Sequence, residues 1–307
     1  MTRQVFKAHG TGNDFVVYAD PQNALPPTAA DIALLCDRHL GIGADGLIRL
    51  VPYDALPYEQ AAAFPRAAGG VWVMDYYNAD GTPAEMCGNG VRVAAHILRV
   101  AELVPSDTEE LTIATRAGVK DVTVYSSPQN LYRVDMGSGV LHERTENGHE
   151  PHVLTHGIEV ARPGLLVDMG NPHTVVTLAN THELASAELA VQPEVRPLPT
   201  GGTNIEYMVI EPNGDPHLGR VHMRVHERGV GETYACGTGA CAVALAAAHW
   251  AGEHSPSEWE IVQPGGAVRI RVTPHTVFLT GPAEIVATLH LVPALLHKLS
   301  SQWTENY

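Results

Sequence analysis

Two cysteines lie in nearly identical short sequences whose chemistry suits proton transfer. Cys87 opens the run CGNG and Cys236 opens the run CGTG, and each run leads into an apolar, helix-like segment. The unpaired backbone N–H groups of a first helical turn, together with the positive end of the helix dipole, attract an anion. The same field lowers the pKa of a thiol. We therefore predict a reactive thiolate and a carboxylate-binding turn at each position.

A pair of such thiols suits the movement of a proton between the two faces of one carbon atom. Epimerisation at an α-carbon needs a base on one face and an acid on the other, and a thiolate and a thiol exchange these roles when the reaction reverses. The two pKa values would be coupled and belong to the pair. Cys87 and Cys236 are the predicted catalytic residues, whereas Cys36 and Cys241 are interpreted as buried structural thiols.

The repetition extends beyond the two turns. Asn78 lies nine residues before Cys87, and Glu227 lies nine residues before Cys236. Further upstream, a Gly-Asn pair precedes an apolar stretch in each half of the chain. These matches indicate two copies of one unit, each of which contributes one thiol.

The elements around the cysteines are predicted to be mostly strands. Short β-branched runs bounded by Gly, Pro and Asn dominate, and longer helical patterns occur only after each cysteine, over residues 31–39 and near residues 181–187. The pattern predicts an α+β fold of two similar domains, each a curved, mostly antiparallel and barrel-like sheet around a central helix. We expect the active site in the cleft between the domains.

The domain boundary is expected near the Gly-rich run that follows residue 135. The first domain comprises residues 1–135 and the C-terminal residues 282–307, and the second comprises residues 136–281. Residues 56–70, which are rich in Ala and Pro, are interpreted as a surface insertion without function.

Composition excludes several classes of protein. The chain has 307 residues and a formal net charge of -15, without a Lys/Arg block that would bind phosphates or a membrane surface. No apolar run suits a signal peptide or a membrane helix. Four cysteines are too few for a disulfide framework, and no CxxC pattern indicates a zinc site. We expect a cytoplasmic protein that binds neither nucleic acid, membrane nor metal.

In combination, the motifs resemble those of the diaminopimelate epimerase family, and they occur in the order typical of that family. They are HGTGNDFVV at 9–17, GIGADG at 41–46, NADGTPAEMCGNGVR at 78–92, GNPH at 170–173, GTNIEYM at 202–208 and HERGVGETYACGTGA at 226–240. The resemblance implies interconversion of LL- and meso-2,6-diaminopimelate, for lysine and peptidoglycan precursors, without pyridoxal phosphate or metal. It also implies a homodimer and two domains that close over the small-molecule substrate.

The resemblance further implies roles for individual residues. Cys87 and Cys236 match the family's base and acid, and His173 and Glu227 match residues that tune the thiols. The implied substrate-binding residues are Asn13, Asn78, Gly88, Asn89, Asn171, Asn204, Glu227, Arg228, Gly237 and Thr238. An Arg fork and several carboxamides suit a distal carboxylate, and Glu227 suits an ammonium group. The chain departs from the pattern at Gly46, where some relatives use Gln to contact substrate.

Two other interpretations remain open from the sequence. Another two-base isomerase, such as a proline racemase or a phenazine-pathway isomerase, would share the paired cysteines, although proline racemases typically carry CGH in place of CGNG. A thiol redox protein would instead join Cys87 and Cys236 in a functional disulfide. The carboxamides and Arg228 favour a larger dicarboxylic substrate, and therefore diaminopimelate.

Overall fold

The structure is a computed structural model that describes residues 4–65, 70–126, 129–212 and 214–306. The chain forms two compact units: unit 1 comprises residues 1–134 and 282–307, and unit 2 comprises residues 135–281. The fold is α+β and consists mostly of strands. Among the described helices, none combines the length and the apolar character that a membrane span requires.

Strands outnumber helices among the described residues. In chain order, the strands are β1 (Val5–Gly10), β2 (Asn13–Ala19), β3 (Gly46–Pro52), β4 (Trp72–Asn78), β5 (Glu110–Thr115), β6 (Gly118–Ser126), β7 (Leu131–Asp135), β8 (Val140–His142), β9 (His152–Leu154), β10 (Arg162–Asp168), β11 (Pro172–Thr177), β12 (Glu194–Arg196), β13 (Asn204–Glu211), β14 (Leu218–Glu227), β15 (Gly231–Thr233), β16 (Glu258–Gln263), β17 (Gly266–Val272), β18 (Val277–Pro282) and β19 (Glu284–Leu289). The α-helices are α1 (Ala29–Cys36), α2 (Tyr58–Ala61), α3 (Gly88–Val100), α4 (Thr181–Ser186), α5 (Gly237–Ala251), α6 (Pro293–Leu296) and α7 (Ser301–Asn306).

The two units share one strand order. In unit 1 the strands pair as β19-β1-β2-β3-β4-β5-β6-β7, with parallel pairs at β2–β3 and β4–β5 and antiparallel pairs elsewhere. In unit 2 they pair as β8-β10-β11-β13-β14-β16-β17-β18, with parallel pairs at β11–β13 and β14–β16. The parallel pairs fall at the same places in both orders, as the sequence repeat predicts.

Each sheet curves around one buried helix. Helix α3 contacts the strands from β19 across to β6, and α5 contacts the strands from β10 across to β17. Neither sheet closes: among the described strands, no pairing joins β19 to β7 or β8 to β18. The predicted α+β fold of two similar, mostly antiparallel units is confirmed, and each curved sheet is open rather than a closed barrel. About eight strands closed into a barrel leave room only for side chains, so a helix inside the sheet requires a wider, open arrangement.

Two further sequence predictions differ in detail from the structure. Helix α1 begins earlier than predicted, because Thr28 and Asp31 form a capping box, and it ends at Cys36. Part of the segment interpreted as a surface insertion packs on the sheet of unit 1, since Phe64 is buried in a cluster with Val51 and Val73. Residues 66–69 of that segment lie outside the described residues.

Candidate active site

The predicted site residues of unit 1 lie at one edge of its sheet. Strand β2 starts at Asn13, β3 starts at Gly46 and β4 ends at Asn78, which pairs with Gly46 in register. Because β2 and β3 are parallel and β4 runs the opposite way, these three residues share an edge. Cys87 is the N-cap residue of α3, the helix that packs against this sheet.

Cys87 caps its helix with its own sulfur atom. Its backbone is extended, with φ -141° and ψ 119°, and its Sγ accepts a hydrogen bond from the N–H of Gly90 at 3.5 Å. The Sγ also donates to Oδ1 of Asn13 at 3.3 Å. The same oxygen accepts from Nδ2 of Asn89 at 3.3 Å. The structure therefore brings three of the predicted residues together around one amide oxygen.

Charged side chains fix the orientation of Asn13. Its Nδ2 donates to Oδ2 of Asp45 at 2.9 Å, which turns its Oδ1 toward Cys87. Asp45 also accepts from Arg38 at 2.8 Å, and Arg38 donates to Asp14 as well. Asp45 stands in the GIGADG motif, but the sequence reasoning gave it no role.

A buried arginine fixes Asn89. The guanidinium of Arg92, which is fully buried, donates to Oδ1 of Asn89 at 3.0 Å and to the carbonyl of Gly88 at 3.2 Å. Thr11 also donates to this amide oxygen, at 3.4 Å. Because a buried charge must be compensated by hydrogen bonds, Arg92 locks the first turn of α3 in place.

The remaining unit 1 positions are explained by their surroundings. Asn78 is exposed and donates from Nδ2 to Oγ1 of Thr82 at 3.0 Å, so the structure places it in a turn at the sheet edge. Gly46 is buried, and a Cβ there would lie 2.5 Å from the carbonyl oxygen of Tyr77 and 2.7 Å from Cε2 of Tyr76. A glutamine therefore does not fit at position 46 without movement of the backbone.

Unit 2 repeats the same arrangement with other residues. Asn171 directly precedes β11, Asn204 starts β13 and Glu227 ends β14. Cys236 is the N-cap residue of α5, with φ -123° and ψ 118°, and its Sγ accepts from the N–H of Gly239 at 3.3 Å. The two thiols therefore occupy equivalent positions in their units.

A chain of hydrogen bonds runs inward from Cys236. Its Sγ lies 3.5 Å from Oγ1 of Thr238, which accepts from Nδ2 of Asn171 at 3.4 Å. Oδ1 of Asn171 lies 3.0 Å from Nε2 of His173, and Nδ1 of His173 lies 2.7 Å from Oε1 of Glu206. His173 and Glu206 are both fully buried, with 0% of their surface exposed.

The turn between β14 and β15 carries the remaining predicted residues. Oδ1 of Asn204 accepts from the backbone N–H of Arg228 at 3.0 Å, so Asn204 shapes this turn. The guanidinium of Arg228 is exposed and donates to the carbonyl of Gly201. Thr233 donates to Oε1 of Glu227. The Arg228 fork is thus available at the surface of unit 2.

The electrostatic environment of Cys236 corrects one sequence prediction. The helix field alone predicts a lowered pKa for each thiol. Burial instead raises the pKa of the Cys236 thiol well above its ordinary value, and the negative charges of Glu227 and Glu206 raise it further. Hydrogen bonds from Thr238 and Gly239 oppose this effect but do not overcome it. These surroundings favour the thiol form of Cys236.

Sequence reasoning missed Glu206, although a signal for it was present. Glu206 lies two residues after Asn204 in the motif GTNIEYM. Residues at i and i+2 of a strand point to the same face of a sheet, so a strand there places both side chains on one side. The intervening Ile205 instead packs in the core cluster of unit 2. For Asp45 and Arg92 the sequence offers only their place inside matching motifs.

Known proteins resemble this chain along most of its length. The family model for diaminopimelate epimerase matches residues 5–142 and 165–286. The chain belongs to the diaminopimelate epimerase family. The diaminopimelate epimerase of Streptomyces coelicolor is 41% identical over 93% of this chain and 94% of its own length. That of Mycolicibacterium paratuberculosis is 40% identical over 92% of this chain and 94% of its own length.

Several solved structures share the fold of this chain. A phenazine biosynthesis protein of the PhzF family from Bacillus anthracis has a TM-score of 0.63 and 16% identity, covering 95% of this chain and 99% of its own. A hydroxyproline epimerase from Agrobacterium vitis has a TM-score of 0.60 and 15% identity, covering 94% of this chain and 91% of its own. At these identities the likeness concerns the fold alone. The choice among isomerases depends on the diaminopimelate epimerase motifs.

Proposed function

We propose that this chain interconverts LL- and meso-2,6-diaminopimelate by a two-base mechanism in which Cys87 and Cys236 are the base and the acid. The observation that carries the proposal is the repeated cap: each thiol is the N-cap residue of the central helix of its unit and accepts a hydrogen bond from the third amide of that helix. Membership of the diaminopimelate epimerase family supports the choice of substrate.

The proton balance of the proposed reaction is simple. One sulfur, as thiolate, removes the α-hydrogen from one face of the substrate carbon and becomes a thiol. The other sulfur, as thiol, gives its proton to the opposite face and becomes a thiolate. The backbone amides of the two first turns, at Gly88, Asn89, Gly237 and Thr238, would hold the neighbouring carboxylate and stabilise the developing negative charge.

The surroundings of the two sulfurs support different resting forms. The raised pKa of Cys236 suits a thiol that donates a proton. Cys87 then supplies the thiolate in the first turnover. Its Sγ accepts a hydrogen bond from the backbone N–H of Gly90, and such a bond stabilises a thiolate.

The rest of the substrate would be recognised by polar groups at the same sheet edges. A diamino diacid offers a distal carboxylate and a distal ammonium group. The Arg228 fork suits the carboxylate, and Glu227 suits the ammonium group. We assign substrate contacts to Asn78, Asn171 and Asn204, and the tuning of Cys236 to His173 and Glu227. A wrong configuration at the distal carbon would leave these polar groups unpaired, which gives stereochemical choice.

The same proposal covers the setting of the reaction. We propose that the enzyme works without pyridoxal phosphate or metal, acts as a homodimer in the cytoplasm and supplies lysine and peptidoglycan precursors. The family membership supports these statements.

Solvent isotope incorporation tests the proposal. The reduced protein is incubated in deuterium oxide with LL-diaminopimelate, and in a second arm with proline, and α-deuterium is measured by mass spectrometry and NMR. We expect deuterium in diaminopimelate and none in proline. Incorporation into proline alone would identify a proline racemase instead, and the absence of α-deuterium from both substrates would favour the redox interpretation.

Cysteine variants assign the two bases. Cys87→Ala and Cys236→Ala should each abolish epimerisation while the circular dichroism spectrum stays unchanged. Cys36→Ala is the matched control, because this third thiol is buried in the core of unit 1 and should be dispensable. Full activity in either catalytic variant would remove that cysteine from the mechanism.

A further inference from the structure

We propose that Glu206 is a positioning residue of this reaction, which fixes the imidazole of His173 and keeps the proton on Cys236 until substrate binds. The proposal depends on the two-thiol function proposed above. The family resemblance gave Glu206 no role. All the residues that the proposal uses lie within unit 2.

The carboxyl group of Glu206 lies directly beneath the start of α5. An ideal Cβ on Gly239 would be 2.6 Å from Oε1 of Glu206 and 3.2 Å from Sγ of Cys236. Only the missing side chain of Gly239 allows the carboxyl group to approach the helix this closely. Glu206 is fully buried, so its charge acts on the thiol with little screening by solvent.

The hydrogen bonds of Glu206 are one-sided. Its Oε1 is 2.7 Å from Nδ1 of His173, whereas its Oε2 is buried and has no hydrogen-bond partner in the part of the chain that the structure describes. A buried carboxyl oxygen without a partner is costly in free energy. The position of this carboxyl group therefore lowers the stability of unit 2, and we attribute it to a role in the site.

The partners of His173 fix how many hydrogens the pair carries. Nε2 of His173 faces Oδ1 of Asn171, and Nδ2 of Asn171 donates to Thr238, which sets the orientation of this amide. Nε2 must therefore carry a hydrogen. One further hydrogen lies between Nδ1 of His173 and Oε1 of Glu206, bonded to one atom and hydrogen-bonded to the other. The pair then carries no net charge, which lowers the cost of burying it. The carboxylate oxygen Oε1 of Glu206, its negative end, is the atom that lies beside Gly239 and Sγ of Cys236, so this end acts on the thiol.

In the part of the chain that the structure describes, two carboxyl groups act on the thiol of Cys236 from the strands around α5, Glu206 on β13 and Glu227 at the end of β14. His173 on β11 is linked to the thiol through Asn171 and Thr238. After burial, the charges of Glu227 and then of Glu206 raise the pKa of the thiol. Glu227 belongs to the predicted substrate contacts, whereas Glu206 is fully buried and hydrogen-bonds His173. Removal of Glu206 therefore tests positioning without removal of a substrate ligand.

The test uses Glu206→Gln, which keeps the size of the side chain and offers an amide N–H to Nδ1 of His173 but removes the carboxylate. A like charge within about 4–6 Å shifts a pKa by about 1 unit or more, and His173 offsets part of this charge. The pH midpoint for alkylation of Cys236 by iodoacetamide should therefore fall by about 0.5–1 unit. The basic limb of the pH profile for kcat/KM should move to lower pH as well. Glu260→Gln on β16 is the control and should change neither midpoint.

Two outcomes would overturn the proposal. The first is a folded Glu206→Gln variant whose alkylation midpoint and basic limb are the same as those of the unchanged protein. This result would show that Glu206 has no influence on Cys236. An unprotonated Nε2 of His173 in the ¹⁵N NMR spectrum of the unchanged protein would contradict the hydrogen count, and this measurement serves if the variant does not fold. Failure of the proposed function is a separate result, because the unchanged protein would then incorporate no α-deuterium into diaminopimelate.

Discussion

A pair of equivalent alanine substitutions probes the difference between the two helix starts. Gly90 and Gly239 occupy the same position in the first turns of α3 and α5. A Cβ at Gly239 would lie 2.6 Å from the buried Oε1 of Glu206, whereas a Cβ at Gly90 would meet nothing closer than Cδ1 of Ile48 at 3.1 Å. The methyl end of Ile48 can shift by a few tenths of an ångström, but the buried carboxyl group cannot easily retreat.

The expected magnitude follows from two opposing effects. Alanine stabilises a helix by up to about 1 kcal/mol relative to glycine. This gain is the same at both positions and cancels in the comparison. Overpacking of a filled core costs about 1–3 kcal/mol. We therefore expect Gly239→Ala to lower the free energy of unfolding by about 1–3 kcal/mol more than Gly90→Ala does.

Urea denaturation measures this difference. Circular dichroism and tryptophan fluorescence follow unfolding, since each unit contains tryptophan residues, Trp72 and Trp303 in unit 1 and Trp250 and Trp259 in unit 2. If the units unfold separately, each variant is compared with the unchanged protein in the transition of its own unit. Free energies of unfolding that agree within about 0.5 kcal/mol for the two variants would refute the argument that Glu206 crowds the start of α5.

Three further predictions concern other parts of the chain. Burial raises the pKa of the Cys36 thiol from 9.0 to about 12, so this thiol ionises at lower pH in the unfolded chain than in the folded protein. The free energy of unfolding should therefore fall as the pH rises from 9 to 12. Urea titrations over this pH range should show a shallower fall for Cys36→Ala. Asp45→Ala should release Asn13 and lower kcat by about 10–100-fold, which corresponds to the loss of one hydrogen bond to a charged group. The control Asp121→Ala on β6 should leave kcat unchanged. An unchanged kcat in Asp45→Ala would contradict the orienting role of Asp45. Arg228→Lys should raise KM for diaminopimelate by about 10-fold or more with a smaller change in kcat, and an unchanged KM would remove the fork from substrate binding.

The sequence contained enough to predict the local chemistry of the two thiols. A Cys-Gly-x-Gly run before an apolar helix predicts a capping turn, and both cysteines cap their helices. The alternating strands and the repeat predicted the α+β fold of two similar units. These features depend on residues close together in the chain, where local backbone physics decides the outcome.

Properties that depend on distant residues were not predictable in the same way. The sequence predicts the helix field at Cys236. The burial of Cys236 and the approach of Glu206 arise from the parallel pairing of β11 with β13 and from the packing of α5 against these strands. The direction of the pKa shift was therefore predicted wrongly. The open sheets and the buried Phe64 likewise depend on how a helix and a loop fill space, which the strand pattern does not encode.

The central claim is that both sulfurs serve the same carbon atom from opposite faces. A crystal structure of the Cys87→Ser variant with LL-diaminopimelate measures this directly, because the substituted side chain is too weak a base to turn the substrate over. The account predicts the new hydroxyl oxygen and Sγ of Cys236 on opposite sides of one α-carbon, each about 3–3.5 Å from it. A complex in which only one of the two side chains approaches that carbon would contradict the two-base mechanism.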